Sequence, residues 1–231
     1  MIPVGAGRER SSRNVMGNKI NMKNTRDIEF LFEVGAMRHI DRVWKQFMGP
    51  DVANCAEHIF RVAWIAFTIA KREGTGNHEK ILKMAFAHDI AESRAGDVHY
   101  LSRQYTKRDE GTAIRDIFEG TVHEDEMVEL IDEYEKRESI EAKIVKDADN
   151  IDVELELREL RGRGHSLGAV WMNSRTKHVY PKLYTKTARR FWKIIASAEP
   201  HNWHLNSSKN RFKSGDWKSV IGNKNTVSRR G

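Results

Sequence analysis

The sequence lacks the features that mark secreted and membrane-embedded proteins. It contains one cysteine, Cys55, in 231 residues, so no disulfide can form within the chain. No apolar run approaches the roughly 18 residues needed to span a bilayer, and residues 1–8 carry no hydrophobic core of a signal peptide. We therefore expect a cytoplasmic protein that does not engage a membrane, with Cys55 as a small buried residue rather than a nucleophile.

The two ends of the chain carry almost no acidic charge, and this explains the formal net charge of +7. Residues 1–26 hold six Lys or Arg and one acid, and residues 207–231 hold seven and one, which leaves residues 27–206 with a net charge of −4. The part expected to fold is therefore not a basic nucleic-acid surface. We predict solvated basic tails over 1–24 and 207–231, with nucleic-acid-binding arms as the alternative.

The alternation of polar and apolar residues that marks strands is nearly absent, and apolar residues recur at helical spacings instead. This pattern predicts one all-α domain over 25–206, a helical bundle with an irregular C-terminal extension. The predicted helices are 25–47 with a break near Gly35, 55–72, one from the cap at Asn77 to Gly96, 109–119, 124–136, 139–161, and one from Pro181 to 198. Residues 165–180 are predicted to be irregular.

One stretch, residues 87–92, joins a histidine and two carboxylates at the end of an apolar helical run. His88 shares a helical stripe with Ile81 and Ala85, so its ring should point inward. Asp89 follows directly, and Glu92 lies one turn further along the same face. Imidazole and carboxylate groups are ligands of divalent metals. The alternative is a helix end with a solvated polar tail.

A second histidine, His58, lies early in another predicted helix. The spacing of Asn54 and Glu57 matches a capping box, which places the helix start just before it. His58 then shares the apolar stripe of that helix with Val62, Ile65 and Ile69. The stripe predicts that His58 faces the protein interior.

A third predicted helix carries an aspartate on its apolar face. Asp149 lies between Val145 and Val153, one turn away on either side. Asp147 competes with it, because residues two positions apart point about 200° apart and only one can face a shared site. Helical periodicity does not choose between them, and Asp152 remains an outside candidate.

Taken together, these pieces resemble the HD-domain superfamily of metal-dependent phosphohydrolases. The pattern His-Asp-x-x-Glu-x(4)-Asp and the pattern Val-Lys-x-x-Asp are most similar to the 5′-deoxynucleotidase branch, and the resemblance covers roughly residues 40–160. It implies one divalent ion (Mn²⁺, Co²⁺, Fe²⁺, Ni²⁺ or Zn²⁺) and a general base that activates water. The implied ligands are His58, His88, Asp89 and Asp149, and the implied base is Glu92. Asp147 is then expected to be a supporting or surface group.

The same resemblance implies contacts to a nucleotide. Asp97 is placed to hold the sugar 3′-hydroxyl, and Trp44 is placed to crowd a 2′-hydroxyl, although a core tryptophan is the alternative. The family often has an arginine directly before this tryptophan, where the present chain has Val43. Arg42 and Arg61 are the candidate phosphate contacts, with a structural salt bridge as the alternative for Arg61.

The predicted activity is hydrolysis of (deoxy)nucleoside 5′-monophosphates to nucleoside and phosphate. One alternative is a dNTP triphosphohydrolase or guanosine polyphosphate hydrolase that uses Lys and Arg from 162–180. Another is a dinuclear site that recruits His99 and His123. A third is an inactive HD scaffold whose basic tails bind nucleic acid. The family resemblance also raises a homodimer as an expectation.

Overall fold

The computed structural model describes residues 24–206, which fold into helices joined by short connections. The predicted tails, 1–24 and 207–231, lie outside the described residues except for residue 24, which is already helical. Over the described range there is no β-strand, and an isolated bridge pairs Asp41 with Asn54. The all-α prediction is therefore confirmed. None of the helices in this range has both the length and the apolar character needed to cross a membrane.

The helices follow the predicted pattern closely over most of the chain. The first predicted helix is divided near Gly35, and the helices predicted over 55–72, 124–136 and 139–161 match the observed bounds to within one residue. In chain order they are α1 (24–36), α2 (Lys45–Met48), α3 (Cys55–Glu73), α4 (His78–Ala87), α5 (Glu92–Ala95), α6 (Glu110–Phe118), α7 (Glu124–Lys136), α8 (Ile140–Gly162), α9 (Ser166–His178), α10 (Lys186–Ile195) and α11 (Asn202–Leu205), with 3₁₀ turns at Met37–His39, Ser102–Gln104 and Tyr180–Lys182.

Side-chain caps set where the two central helices begin. The Asn54 side chain accepts a hydrogen bond from the Glu57 backbone N–H at 3.0 Å, and the Glu57 carboxylate accepts one from the Asn54 N–H at 3.0 Å. This is the predicted capping box at the start of α3. The Ser139 hydroxyl accepts from the Ala142 N–H at the start of α8. These caps fix the register of the functional residues that follow.

The core forms where α3, α4 and α8 pack together, with α7 and α10 covering the sides. Burying this apolar surface is the main favourable contribution to folding. It also holds α3 and α8 side by side, so groups near the start of α3 and the middle of α8 meet across the interface. The central side chains are almost fully buried: Val62, Ile69, Ile81, Met84, Ile144 and Ile151.

The prediction that 165–180 is irregular was wrong, because most of it is α9. The apolar residues of this segment do not form a one-sided stripe, and Val170 is exposed. The helix is held instead by close packing on α8: a Cβ added at Gly168 would lie 3.0 Å from the Leu157 carbonyl oxygen. Pro181 also does not begin the last long helix. It lies in a 3₁₀ turn, and Thr185 caps α10.

Candidate active site

Three helices bring the predicted metal ligands together. His58 comes from the first turn of α3, His88 from the end of α4, and Asp149 from the middle of α8. One ligand atom from each of these three residues lies within 4.8 Å of the other two. Asp89 adds a carboxylate oxygen 3.4 Å from the Nε2 atoms of both histidines. The four side chains therefore face one small space.

The His-Asp pair lies in a turn rather than in a helix. Residues 88–91 connect α4 to α5, and the His88 backbone still has helical angles. His88 Nδ1 lies 2.8 Å from the Ala85 carbonyl oxygen, to which it donates as the N–H. This contact orients the ring so that Nε2 faces the ligand cluster. Because the chain turns immediately afterwards, Asp89 reaches the same cluster.

The donor atoms fit a divalent ion. Among the described residues, the buried Nε2 atoms of His58 and His88 have no hydrogen-bond partner, and an unpaired buried polar atom is costly. Two ligands that are each about 2.1 Å from one ion and meet at 90–110° are about 3.0–3.4 Å apart. His58 Nε2 lies 3.4 Å from oxygens of both Asp89 and Asp149. Imidazole and carboxylate donors suit Mn²⁺, Fe²⁺, Co²⁺, Ni²⁺ or Zn²⁺.

The electrostatics of the cluster favour positive charge. Burial and the charge of Arg42 lower the pKa of His58, but the neighbouring carboxylates of Asp149, Asp152 and Asp89 outweigh them and raise it well above its usual value. Burial opposes ionisation of Asp149, yet Lys146 and His58 hold its pKa well below the usual range. The carboxylates thus remain charged and attract a proton or a metal ion. Metal binding would displace the proton from His58.

Asp152 and Arg61 lie behind His58 rather than in the cluster. Asp152 Oδ2 is 2.6 Å from His58 Nδ1, and Arg61 Nε donates to Asp152 Oδ1. The Arg61 guanidinium also donates to both Glu159 oxygens, at 2.9 and 3.0 Å. The prediction that Arg61 contacts phosphate is therefore corrected in favour of its alternative, a structural salt bridge. Asp152, the outside candidate for a ligand, partners the far nitrogen of His58.

Asp147 is neither a support for the cluster nor a surface group, so that expectation was wrong. It is fully buried on the opposite face of α8. Its carboxylate accepts hydrogen bonds from the Tyr184 N–H at 2.9 Å and from the Thr185 N–H and hydroxyl at 2.7 and 2.8 Å. Asp147 thus anchors the segment that leads into α10, while Asp149 faces the cluster.

A polar cavity of about 340 Å³ opens beside the ligand cluster. Asp89 and Asp149 form part of its wall, together with Glu92, Asp97, Arg42, Lys146, Arg175, Trp44, His99 and Tyr100. Carboxylates, cations and aromatic rings therefore surround one space. Such a mixture suits a small anionic ligand that also has an apolar or aromatic part.

Glu92, the first residue of α5, reaches this cavity half-buried. Burial, together with the charges of Asp89 and Asp97, raises its pKa to about 8. A carboxylate with a pKa near neutrality can both accept and return a proton. The Cys55 thiol donates to Glu92 Oε2 at 3.0 Å. Cys55 itself is buried as predicted, and burial and the Glu92 charge raise its thiol pKa, which suppresses the thiolate.

Arg42 is the most deeply buried cation of the cavity, with 7% of its surface exposed. Burial opposes its charge, but Asp89, Asp149 and Asp152 raise its pKa, so it stays ionised. Its NH1 group, 3.7 Å from Asp152 Oδ2, makes no hydrogen bond within the described part of the chain. Arg42 therefore keeps its charge at the wall of the cavity, while its buried NH1 group lies towards Asp152.

Comparisons with known proteins agree with this geometry. A family model described as "HD domain" matches residues 34–192. The chain belongs to the HD-domain family. It is 28% identical over 192 residues to the human 5′-deoxynucleotidase HDDC2, covering 76% of this chain and 92% of that protein. The zebrafish (Danio rerio) HDDC2 is 26% identical over 168 residues, covering 68% and 82%.

Solved structures also resemble this HD domain. A conserved hypothetical protein from Pyrococcus furiosus superposes with a TM-score of 0.63 at 25% identity, covering 74% of this chain and 99% of that one. A predicted metal-dependent phosphohydrolase from Magnetospirillum magnetotacticum gives a TM-score of 0.62 at 21% identity, covering 76% and 91%. These likenesses support the helical architecture described above.

Two further predicted residues of the HD domain lie at one side of the cavity. Asp97 Oδ2 accepts a hydrogen bond from the Val43 N–H at 3.0 Å, which ties the segment around Arg42 to the end of α5. Trp44 lines the cavity and packs edge-on against Trp171, with ring centroids 4.6 Å apart. Trp44 is therefore a packed residue that also lines the cavity, and its contact with a sugar stays a prediction.

The structure does not bring His99 and His123 together for a second metal. His99 Nδ1 accepts from the Leu101 and Ser102 N–H groups at 3.2 Å, and Nε2 lies 2.7 Å from Gln46 Oε1. His123 is the N-cap residue of α7 and lines a separate cavity of about 360 Å³ whose wall is largely apolar. The dinuclear alternative is therefore not supported.

Three cations that line the cavity were missing from the predicted site: Lys146, Arg175 and Arg103. Lys146 Nζ donates to Asp149 Oδ2 at 2.7 Å. Arg175 reaches the cavity from α9, and its guanidinium donates to the Asn150 carbonyl oxygen at 2.9 Å. Lys146 could have been found, because it belongs to the Val-Lys-x-x-Asp pattern. Arg175 was included only collectively, in the alternative that uses Lys and Arg from 162–180, because its segment was predicted to be irregular.

Proposed function

We propose that this HD-domain protein is a metal-dependent phosphohydrolase that converts (deoxy)nucleoside 5′-monophosphates to nucleoside and phosphate. The observation that carries the proposal is the convergence of two histidines and two aspartates beside a cavity that is also lined by Glu92 and the charged Arg42. The relatives described as 5′-deoxynucleotidases support the substrate class. We further propose that residues 25–206 form the catalytic domain.

The metal would be held by His58, His88, Asp89 and Asp149. When bound, a divalent ion of this kind acidifies water and withdraws charge from a phosphate oxygen. The ligands come from separate helices, so the fold must be intact before they converge. One ion is expected, because His99 and His123 do not complete a second set.

The cations of the cavity would receive the phosphate group. Arg42 stays charged and lines the cavity, and Lys146 lies beside Asp149. Fixed positive groups of this kind orient a phosphate and offset the charge that develops during phosphoryl transfer. They also explain how a domain with net negative charge can accept an anionic substrate.

Glu92 would act as the general base and then as the general acid of the reaction. It accepts a proton as the water oxygen bonds to phosphorus, and the bond from phosphorus to the sugar 5′-oxygen breaks. The proton then passes to that leaving oxygen, so the products are a nucleoside and inorganic phosphate. A pKa near neutrality suits both transfers.

Asp97 and Trp44 are the proposed sugar contacts. Asp97 would accept a hydrogen bond from a 3′-hydroxyl, and the Trp44 ring would crowd a 2′-hydroxyl, since both residues line the cavity. Trp171 supports this ring from the side of α9. The cavity, about 340 Å³, lies at the small end of the range for ligand sites, which favours a mononucleotide over a larger ligand.

The test is a product panel. Metal-loaded protein is given matched dNMP, NMP and dNTP substrates, and inorganic phosphate and tripolyphosphate are measured. We expect phosphate from monophosphates, faster for dNMP than for NMP, and Trp44→Ala should raise the NMP rate relative to the dNMP rate. Tripolyphosphate from dNTPs with inert monophosphates would establish the triphosphohydrolase alternative. A metal-loaded protein that is inactive on all three would support an idle scaffold.

Glu92→Gln tests the proton role separately. The variant should keep metal and bind substrate but lose about 10²–10⁴-fold in turnover, the usual contribution of a positioned general base. The control is Glu129→Gln, at an exposed position on α7. Near-parent turnover in a folded, metal-loaded Glu92→Gln would remove Glu92 from the mechanism.

A further inference from the structure

Arg61 and Asp152 form a buried support on the side of His58 that faces away from the cavity. The Asp152 carboxylate is fully buried, with Oδ2 2.6 Å from His58 Nδ1. Its other oxygen, Oδ1, accepts from Arg61 Nε. Arg61 is in turn held by the two hydrogen bonds to Glu159. The arrangement links α3 to α8 through charged groups with fixed directions.

This support decides which nitrogen of His58 carries its proton when the ring is neutral. An ionised carboxylate only accepts hydrogen bonds, so His58 Nδ1 must be the donor to Asp152. Nε2 then presents a lone pair. That atom is buried, lies 3.4 Å from oxygens of both Asp89 and Asp149, and has no hydrogen-bond partner among the described residues.

We infer that Asp152 and Arg61 are positioning residues that prepare His58 as a metal ligand. Asp152 selects the tautomer and fixes the ring. Arg61 fixes the Asp152 carboxylate, because a guanidinium bound to Asp152 on one side and Glu159 on the other has little freedom to rotate. The inference rests on the proposed metal site and is independent of the substrate. It gives Arg61 a function in place of the predicted phosphate contact.

The arrangement predicts an unusual effect of Asp152→Asn. An amide has one accepting and one donating end. Arg61 Nε donates directly to one oxygen position, whereas Arg42 NH1 lies 3.7 Å from the other, so the amide oxygen should face Arg61 and the NH₂ group should face His58. His58 Nδ1 would then have to accept, which moves the proton to Nε2 and blocks the lone pair that a metal needs.

Removing Arg61 as well should relieve this conflict. In Arg61→Met/Asp152→Asn the amide can turn its oxygen toward His58. Arg42 NH1, 3.7 Å from the Oδ2 position, would favour that orientation. The double variant should therefore bind metal more tightly than Asp152→Asn alone, although it carries one substitution more.

Cobalt binding tests the inference without any substrate. Metal-free protein at about pH 8 is titrated with Co²⁺, and the affinity and the visible absorption of the bound ion are recorded. Asp152→Asn should weaken binding about 10–100-fold, as loss of a group that orients a metal-bound histidine usually does, and should change the spectrum. Arg61→Met should weaken it less, and the double variant should recover part of the loss.

The control is Lys80→Met, which removes an ion pair with Glu133 between α4 and α7, away from the cavity. It should leave Co²⁺ affinity unchanged, and circular dichroism should show parent helicity in every variant compared. Parent-like affinity and spectrum in Asp152→Asn would overturn the inference. So would a double variant that binds more weakly than Asp152→Asn. A parent protein that binds no Co²⁺ would overturn the metal site itself.

Discussion

On α8, two aspartates two positions apart have unrelated tasks. Asp149 faces the metal cluster, whereas Asp147 holds the backbone of 184–185 from the opposite face. Their difference comes from the direction in which each leaves the helix, about 200° apart. Changes at the two positions should therefore affect different properties of the protein.

Asp149→Ala should lose bound metal, whereas Asp147→Ala should keep it and lose stability. The second change leaves the Tyr184 and Thr185 N–H groups without acceptors, which costs about 1–3 kcal/mol for each buried group. Metal analysis of the purified variants and urea unfolding measure the two effects. If Asp147→Ala lost metal and Asp149→Ala retained it, Asp147 and not Asp149 would be the metal ligand.

Glu154 makes the stability of the folded protein depend on pH. Its side chain is almost fully buried, and burial raises its pKa to about 7 even though Arg175 opposes the shift. Between about pH 4.5 and 7 the folded state thus binds a proton that the unfolded state has released. Protonation of Glu154 therefore contributes fully to the free energy of unfolding below about pH 4.5, and this contribution is lost as the pH rises through 7.

We expect the stability of the parent relative to Glu154→Gln to fall as pH rises from 5 to 8. The change should approach about 3 kcal/mol, since each unit of pKa difference corresponds to about 1.4 kcal/mol. Urea unfolding of both proteins at several pH values measures it, with the exposed Glu129→Gln as the matched control. A difference that is independent of pH would contradict the raised pKa of Glu154.

For individual residues, the sequence analysis identified which side chains can bind a metal but not which residues each side chain contacts. His58, His88, Asp89 and Asp149 were found because their spacing and family pattern are local. The task of Asp147 was not found, and for Arg61 a structural salt bridge was only the alternative, without its partners. Asp147 acts on residues 37 and 38 positions away, and Arg61 on residues 91 and 98 positions away. Only the packing of α3, α8 and α10 reveals those pairs.

One helix that carries none of the predicted metal ligands, α9, contributes to the cavity and to its support. It carries Trp171, which packs on Trp44, and Arg175, which lines the wall. Its position depends on Gly168, where the backbones of α8 and α9 approach closely: an added Cβ would lie 3.0 Å from the Leu157 oxygen and 3.4 Å from the Arg161 nitrogen. Backbone atoms cannot move aside as a flexible side chain can.

Gly168→Ala should therefore destabilise the protein by about 1–3 kcal/mol, the usual effect of overpacking. A decrease in the free energy of unfolding would be informative, because alanine normally stabilises a helix by about 1 kcal/mol relative to glycine. Gly111→Ala in α6 is the control. Its nearest neighbours are side-chain atoms, the closest being the tip of Arg115 at 3.6 Å, so that variant should be stabilised. Urea unfolding compares the two, and a stabilised Gly168→Ala would refute the close approach.

Helices were predictable where a cap and an apolar stripe agree. Both signals mark α3 and α8, and their bounds were predicted closely. In α9 neither signal is present: His165 makes no side-chain cap, and the buried positions are the small Gly168 together with Met172. That helix is specified by its contact with α8, which a one-dimensional pattern does not contain.

In the whole molecule, the packing of α3 against α8 both stabilises the fold and brings candidate active-site residues together. Their shared interface contains the aliphatic core, and the same two helices supply His58, Asp149 and the Arg61–Asp152 support. Residues 27–206 carry a net negative charge, so binding of an anion depends on the cations concentrated in the cavity. Homodimer formation stays a prediction.

The most direct test of the single-ion phosphohydrolase site is to measure phosphate release while a metal is titrated into the protein. Metal-free protein is supplied with a deoxynucleoside 5′-monophosphate and increasing Mn²⁺ or Co²⁺, and inorganic phosphate is measured for the parent and for Asp149→Ala. We predict that the metal-free parent is inactive, that activity rises to a plateau at one tightly bound equivalent, and that Asp149→Ala stays inactive over the same range. Equal activity with and without metal, or a plateau only at two bound equivalents, would contradict a single-ion phosphohydrolase site.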